Sequence, residues 1–244
     1  MFRGYNQRQE KVLHYRLHND PQSSHQQIAQ LIRRWKRGPI LDVGAAQGFL
    51  GRLLQGTGLP LDAVEPNRDW AEGAAPFYRQ VWPLTIEDAP LPARVYRVVV
   101  CADVLEHTAD PVAVLLRLRD VATEDARFIV SLPNVAHVAV RLLLLFGQFP
   151  RMERGILDRT HLHFYTRWTT QELLAEAGLE TLRIRPTGFP LDELWPAGEG
   201  SAIFGFLLRL QRLALLIAPT LFAWQWVLVA EPARTPKPGG RLRA

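Results

Sequence analysis

Ile40-Leu41-Asp42-Val43-Gly44-Ala45-Ala46-Gln47-Gly48-Phe49-Leu50 is the stretch that decides the fold. A β-prone apolar run ends beside an acid, turns through small residues, and opens into a helical pattern at Leu50, Leu53 and Leu54. Strand, tight turn and helix in that order form the first unit of an open α/β sheet, where ligands lie over the carboxyl ends of the strands. Gly44 and Gly48 give a ligand room to approach the backbone, and Ala45 and Ala46 keep side chains out of the way. A dinucleotide turn needs glycines at 44, 46 and 49, but the chain has Gly44, Ala46 and Phe49. A phosphate loop fails as well, because no Gly-Lys-Ser/Thr follows. The match is to D-x-G-x-x-x-G, with Asp42 aimed into the turn. An acid there repels a pyrophosphate and suits a ligand with a cationic amino group.

Leu61-Asp62-Ala63-Val64-Glu65-Pro66-Asn67 reads as a second strand ending in an acid. Its two oxygens can accept from two vicinal hydroxyls at once. With both motifs in order, the sequence resembles the class I S-adenosylmethionine-dependent methyltransferases. The resemblance implies a doubly wound, mostly parallel sheet of seven strands, Rossmann-like, with the last strand antiparallel. It also implies S-adenosylmethionine as cofactor, with Asp42, Gly44, Ala46 and Gly48 around it and Glu65 on the ribose diol. Strands are expected near 39–43, 61–65, 81–86, 95–102, 126–132, 180–187 and 225–230. In the family an acid after the third strand reads the adenine amino group. Here Thr85 stands in its place, with Ile86 available to the adenine face and Glu87 or Asp88 as substitutes. The usual Pro-Gly-Gly turn before the fifth strand is replaced by Ala122-Thr123-Glu124-Asp125-Ala126, a loop expected to lie away from the ligand.

Val98-Val99-Val100-Cys101-Ala102-Asp103-Val104-Leu105-Glu106-His107 is a buried strand emptying into a polar turn. Similar Asp-Val-Leu-Glu-His segments end the fourth strand in many of these enzymes, beside the sulfonium, which adds Asp103 to the cofactor set. Ser131-Leu132-Pro133-Asn134-Val135-Ala136-His137 and Gly155-Ile156-Leu157-Asp158-Arg159-Thr160-His161-Leu162-His163-Phe164-Tyr165-Thr166 follow. With Ser23-Ser24-His25, they resemble a bacterial branch linked to glycan and envelope chemistry, and the ubiquinone-biosynthesis O-methyltransferases. The likeness covers roughly residues 20–185.

Methyl transfer turns a sulfonium into a neutral thioether, so a strong electrostatic clamp on the sulfur would oppose it. In-line positioning of the nucleophile supplies most of the acceleration. A hydroxyl acceptor must also lose a proton, to a neutral histidine or with a metal's help. His107, His137, His161 and His163, four of the seven histidines, follow strands four and five on the acceptor side. His161 is the first choice of general base, with His107 and Asp103 beside it. Asp103, Glu106 and His107 stand at i, i+3 and i+4, one face if the segment is helical. Ubiquinone-pathway enzymes and small-RNA 2′-O-methyltransferases are similar here and hold a metal with such a cluster and a later histidine, the place of His161. Asp103, Glu106, His107 and His161 would hold Mg²⁺ weakly, or Mn²⁺ or Zn²⁺ better. Asp103 departs from the glutamate of those enzymes; without a metal, Glu106 and His107 cap the turn and orient the acceptor.

The chain's 244 residues, 48% hydrophobic, suffice for one substantial core. The single Cys101 excludes an internal disulfide and fits a reducing cytosol. Residues 1–8 lack the apolar core of a signal peptide, so a cytoplasmic location is expected, with membrane association at the inner face open. Lys and Arg exceed Asp and Glu by 29 to 24. Part of the excess lies in Arg234, Lys237, Arg241 and Arg243, within an expected disordered tail, 232–244. The expected organisation is an N-terminal helical region, 1–37, with Ile28, Leu31, Ile32 and Trp35 at helical spacing, then a methyltransferase domain, 38–231. Arg141–Gly147 is apolar but too short to span a bilayer. The apolar segment 201–222 carries Arg209 and Arg212 centrally and Pro219 near its end. It reads either as a helix packed on the sheet or as an amphipathic element lying in a membrane surface.

The function that follows is methyl transfer from S-adenosylmethionine, most naturally to oxygen on a small hydroxylated, sugar or lipid-linked acceptor. RNA 2′-O-methylation is the alternative within enzymes, although no stacking pattern of aromatics marks a nucleic-acid surface. The alternative from another class is a non-catalytic partner protein that binds S-adenosylmethionine.

Overall fold

The computed structural model describes residues 20–198 and 200–233. In chain order its elements are α1 (Ser24–Trp35), β1 (Ile40–Val43), α2 (Phe49–Leu54), β2 (Leu61–Val64), α3 (Arg68–Ala74), β3 (Gln80–Trp82) and β4 (Tyr96–Ala102). Then come α4 (Pro111–Val121), β5 (Ala122–Pro133), α5 (Val138–Leu145), α6 (Arg167–Glu176) and β6 (Leu179–Pro186). Short α7 (Leu191–Leu194), long α8 (Ala202–Ile217), α9 (Pro219–Phe222) and β7 (Gln225–Pro232) complete it.

The seven strands form one sheet in the order β3-β2-β1-β4-β5-β7-β6. β1 pairs in parallel with β2 on one side and β4 on the other. β7 runs antiparallel to both neighbours, β5 and β6. The expected doubly wound sheet with an antiparallel last strand is therefore present. The strand order reverses between β1 and β4, and a crevice opens beyond the carboxyl ends of strands at such a switch point. Asp42, near the end of β1, and Asp103, just past β4, both belong to that edge.

Alternation along β4 explains why its apolar run is unbroken. Val99 and Cys101 join the cluster formed with Leu115 and Leu118 of α4 and Leu173 and Leu174 of α6. Val98 and Val100 face the other way, toward Ile28, Leu31 and Ile32 of α1 and Leu50 and Leu54 of α2. A parallel strand covered on both faces has no polar side to show. The α1 spacing seen in the sequence is thus one wall of the core.

Two strand expectations need correction. The third strand stops at Trp82 instead of running to 86, because Pro83 has no N–H for the ladder. Residues 122–126, expected as a loop, are the start of β5, where Ala122 pairs with Tyr96 before the register shifts. Pro232, expected as the first residue of the tail 232–244, instead ends β7; the tail from residue 234 on, and the expected N-terminal region before residue 20, lie outside the described residues. Among the described residues no helix is long and apolar enough to cross a membrane.

Candidate active site

The β1–α2 turn takes the left-handed conformation three times, at Gly44 (φ +71°), Ala46 (φ +46°) and Gly48 (φ +81°). Gly44 is fixed twice over. A Cβ there would lie 2.5 Å from Cγ2 of Val104, so the turn closes directly on the loop after β4. Glu65, just past β2, is buried and grips this turn: Oε2 accepts from the N–H of Ala46 at 2.8 Å. Oε1 accepts from the N–H of Asn67 at 2.9 Å, so one carboxylate braces both loops. Burial raises the pKa of Glu65 against these two bonds, which lower it.

Asp42 is only 3% exposed and accepts a 2.5 Å bond from the hydroxyl of Tyr78. That hydroxyl in turn accepts from the N–H of Gly51 at 3.0 Å. Burial pushes the Asp42 carboxyl up to about 7; the Tyr78 bond works against this, and the Glu65 charge adds to it. Tyr78 gave no signal in the sequence, since it lies just before a short edge strand and far from Asp42 in the chain. Thr85 is exposed and donates to Asp88 at 3.0 Å, while Ile86 is buried among the main cluster.

Asp103 also has a left-handed backbone, φ +57°. Its Oδ1 accepts from Ser131 Oγ and Gln225 Nε2, both at 3.0 Å, tying the ends of β4, β5 and β7 together. Burial lifts its pKa to about 6, against those two bonds. The expectation that Asp103, Glu106 and His107 share one helical face does not hold. Leu105–His107 is a single 3-10 turn and Asp103 lies outside it, turned toward Ser131 and Gln225.

The structure instead gathers Glu106, His107 and His161, whose ligand-type atoms all lie within 4.8 Å of one another. The segment holding His161 is zipped to this turn through Leu162 N–H to Glu106 O, 2.8 Å. His161 Nδ1 faces the Ile156 carbonyl at 3.1 Å, and a carbonyl only accepts, so Nδ1 carries the proton. His107 Nδ1 faces the Thr160 carbonyl at 3.3 Å in the same way, while the Thr160 hydroxyl gives its proton to Asp158. Each ring therefore keeps its lone pair on Nε2. Both carboxylate oxygens of Glu106 are buried without a hydrogen-bond partner. Burial, and then the Asp103 charge, hold Glu106 well above the usual carboxylate range. Burial lowers the pKa of both histidines, keeping them neutral.

The other two histidines are committed elsewhere. His137 caps α5, its Nδ1 accepting from the N–H of Ala139 at 3.2 Å, and its ring packs edge-on against Trp224. His163 Nε2 donates to the Thr108 carbonyl at 3.1 Å.

The residues present suit the cofactor that the sequence implies. A buried acid lies in β1 near its carboxyl end, and a second, just past β2, braces the glycine turn. Solved structures share this architecture. A S-adenosylmethionine-dependent methyltransferase of Thermotoga maritima is 14% identical with a TM-score of 0.57, covering 86% of this chain and 91% of its own. One of Archaeoglobus fulgidus is 15% identical with a TM-score of 0.56, covering 85% and 94%. The magnesium protoporphyrin IX methyltransferase of Synechocystis, with SAH bound, is 17% identical with a TM-score of 0.57, covering 86% and 84%. Likeness at these identities shows the fold. No curated protein sequence matches the chain. A sequence profile of the methyltransferase domain, however, matches residues 14–184, most of the chain. The chain therefore belongs to the methyltransferase-domain family and is an S-adenosylmethionine-dependent methyltransferase.

Proposed function

We propose that this protein methylates a hydroxyl group on a small hydroxylated, sugar or lipid-linked acceptor. The observation that carries this reading is the pairing of two neutral imidazoles, His107 and His161, around the unpartnered carboxylate of Glu106. When bound, S-adenosylmethionine supplies a methyl group already activated as a sulfonium. Asp42 and Glu65 would hold that cofactor, the first through its amino group and the second through its ribose. Gly44, Ala46 and Gly48 let it approach the backbone. Thr85, exposed, would meet the adenine edge, with Ile86 buried beneath it. Asp103, held by Ser131 and Gln225, would stand beside the reacting centre.

His161 takes the acceptor proton at Nε2, because its Nδ1 is held by Ile156. A base whose pKa burial has lowered stays unprotonated at neutral pH and is ready to accept. The test is calorimetry with S-adenosylhomocysteine, followed by product analysis over hydroxylated acceptors. O-methyl products that vanish with His161→Ala support the reading. N-methyl products, or transfer unchanged in that variant, overturn it.

A second reading has its own support. One buried carboxylate without partners and two Nε2 lone pairs are a donor set for a divalent ion, with Zn²⁺ or Mn²⁺ suited better than Mg²⁺. Glu106, His107 and His161 would hold it, and it would polarise the acceptor hydroxyl. Asp103 stands apart from that trio. Binding heat for Mn²⁺ or Zn²⁺ that disappears with Glu106→Gln supports the metal; absence of any such heat removes it.

A further inference from the structure

We infer that α8, together with the outer side of α5, is a membrane-docking surface that lies in the plane of an anionic bilayer. Beyond β6 the chain runs into sixteen residues of α8 that the core barely uses. Phe204 and Leu215 are the only buried residues of this helix, and they lie on one face with Leu208 and Gln211. Away from that face, Ile203, Phe206, Leu210, Leu213 and Ile217 form a second stripe at spacings of three and four, each 52–74% exposed. Soluble monomers rarely leave so continuous an apolar strip facing water. α5 repeats the pattern: Val140 turns inward, while Leu142, Leu145 and Phe146 stand exposed, followed by Phe149.

The charges say what covers these faces. Residues 201–230 contain no acid, and their only charges are Arg209 and Arg212. Residues 135–152 also contain no acid, and their charges are Arg141 and Arg151. Arg209 and Arg212 are exposed on the flank of the α8 stripe and form no ion pair among the described residues. A second copy of the chain would bring these arginines together with no acid in either segment to pair with them, a costly arrangement. Anionic headgroups accept them without cost, since arginine stems run along apolar surface and place the guanidinium at the phosphate level. At about 24 Å, α8 is shorter than a spanning helix and suits an in-plane position.

Both elements are fastened to the acceptor side of the site. Asn134, at the end of β5, donates to the Ala223 carbonyl at 2.8 Å, just past α9. Trp224 packs with Val140 and Leu143 of α5 and with Ile156, Leu157 and Phe164 of the segment that carries His161. α5 therefore shares a cluster with the histidine segment, and α8 leads through α9 to Trp224 of that cluster. This rests on the methyl-transfer reading only in its consequence, that the acceptor is lipid-linked.

The experiment is co-sedimentation of the full chain with phosphatidylcholine vesicles, with and without phosphatidylglycerol. Partition is expected into the phosphatidylglycerol vesicles and to weaken with salt. Leu210→Glu with Leu213→Glu should lower it at least about tenfold. Arg209→Gln with Arg212→Gln should lower it about tenfold and flatten the salt dependence. Cooperative thermal melting checks the fold of each variant; if the glutamate pair fails to fold, the exposed arginine pair carries the test. Equal partition of wild type and variants, or none by the wild type, overturns the inference. So does a dimer in sedimentation velocity that the glutamate pair dissolves, because that makes the face a protein interface. Loss of S-adenosylhomocysteine binding in the wild type would sink the methyl-transfer reading and leave the partition result standing.

Discussion

Replacing Asp42 with asparagine should stabilise the cofactor-free protein above neutral pH while weakening its hold on the cofactor. Burial raises the Asp42 carboxyl from the ordinary 3.8 to about 7. A group whose folded pKa lies above its unfolded value stabilises the fold below the unfolded value. That stabilisation is lost as pH rises through the folded value, here about 7. Each pH unit between the two corresponds to about 1.4 kcal/mol, so the whole difference is about 4 kcal/mol at pH 8. Asparagine has the same volume and keeps an oxygen to accept from Tyr78, but carries no charge to bury. If half of the effect is expressed, the variant gains about 2 kcal/mol, or about 5 °C in melting midpoint for a chain of this size. The assay is calorimetric melting of wild type and Asp42→Asn without ligand, from pH 5 to pH 8. Groups that do not interact with Asp42 contribute equally in both proteins and cancel in the difference; Glu65, whose charge acts on Asp42, does not cancel fully. The gap between the two midpoints should widen as pH rises. A constant gap across the range refutes the buried-acid argument. In calorimetry the same variant should bind S-adenosylhomocysteine at least about tenfold more weakly if Asp42 is, as proposed, the partner of its ammonium group.

Glu65→Ala should lose both stability and cofactor affinity, because it strands the N–H groups of Ala46 and Asn67 at a cost of about 1–3 kcal/mol. Glu65→Gln keeps an acceptor and should melt nearer the wild type; equal melting of all three would show that the braces are idle. Gly44→Ala should destabilise by about 2 kcal/mol or more, from its left-handed backbone and the Val104 contact. Adding Val104→Ala should recover the contact part only, and full additivity in that double-mutant cycle would sever the link between the two loops. His137→Ala should lower the melting point through the lost cap of α5, about 1 kcal/mol, while His161→Ala abolishes transfer. The opposite pattern, with transfer lost only in the His137 variant, would exchange their roles.

The parts of the fold that a sequence displays are those carried by local pattern. Apolar runs at 40–43, 61–64 and 96–102 show their strands because both faces are buried, and the Gly44–Gly48 turn shows itself because small residues are its mechanism. What stayed hidden depends on partners distant in the chain. Tyr78 meets Asp42 only after β3 docks beside β2. Gln225 reaches Asp103 only because the last strand enters antiparallel beside β5. Asp62 looks like a strand acid of no account, yet it is buried and clamped by Arg79 and by the hydroxyl of Tyr96. The helical face assumed for Asp103, Glu106 and His107 failed because spacing says nothing about a backbone that turns left-handed at Asp103.

One physical tension runs through the candidate site. Asp42, Glu65, Asp103 and Glu106 crowd around the switch point, and burial raises the pKa of each one. A core built for stability alone would replace them with apolar residues. The first three are partly answered by protein donors: Tyr78 for Asp42, two backbone N–H groups for Glu65, Ser131 and Gln225 for Asp103. Glu106 has no protein donor at either oxygen. The unanswered acid is also the one beside two histidine lone pairs. A binding partner that brings a hydrogen-bond donor or positive charge to Glu106 would answer its two unpartnered oxygens. An acceptor hydroxyl donating to Glu106 does this, and so does a divalent ion; an apolar acceptor does not. The proposed polar acceptor thus rests on the two Glu106 oxygens that the protein leaves without a partner.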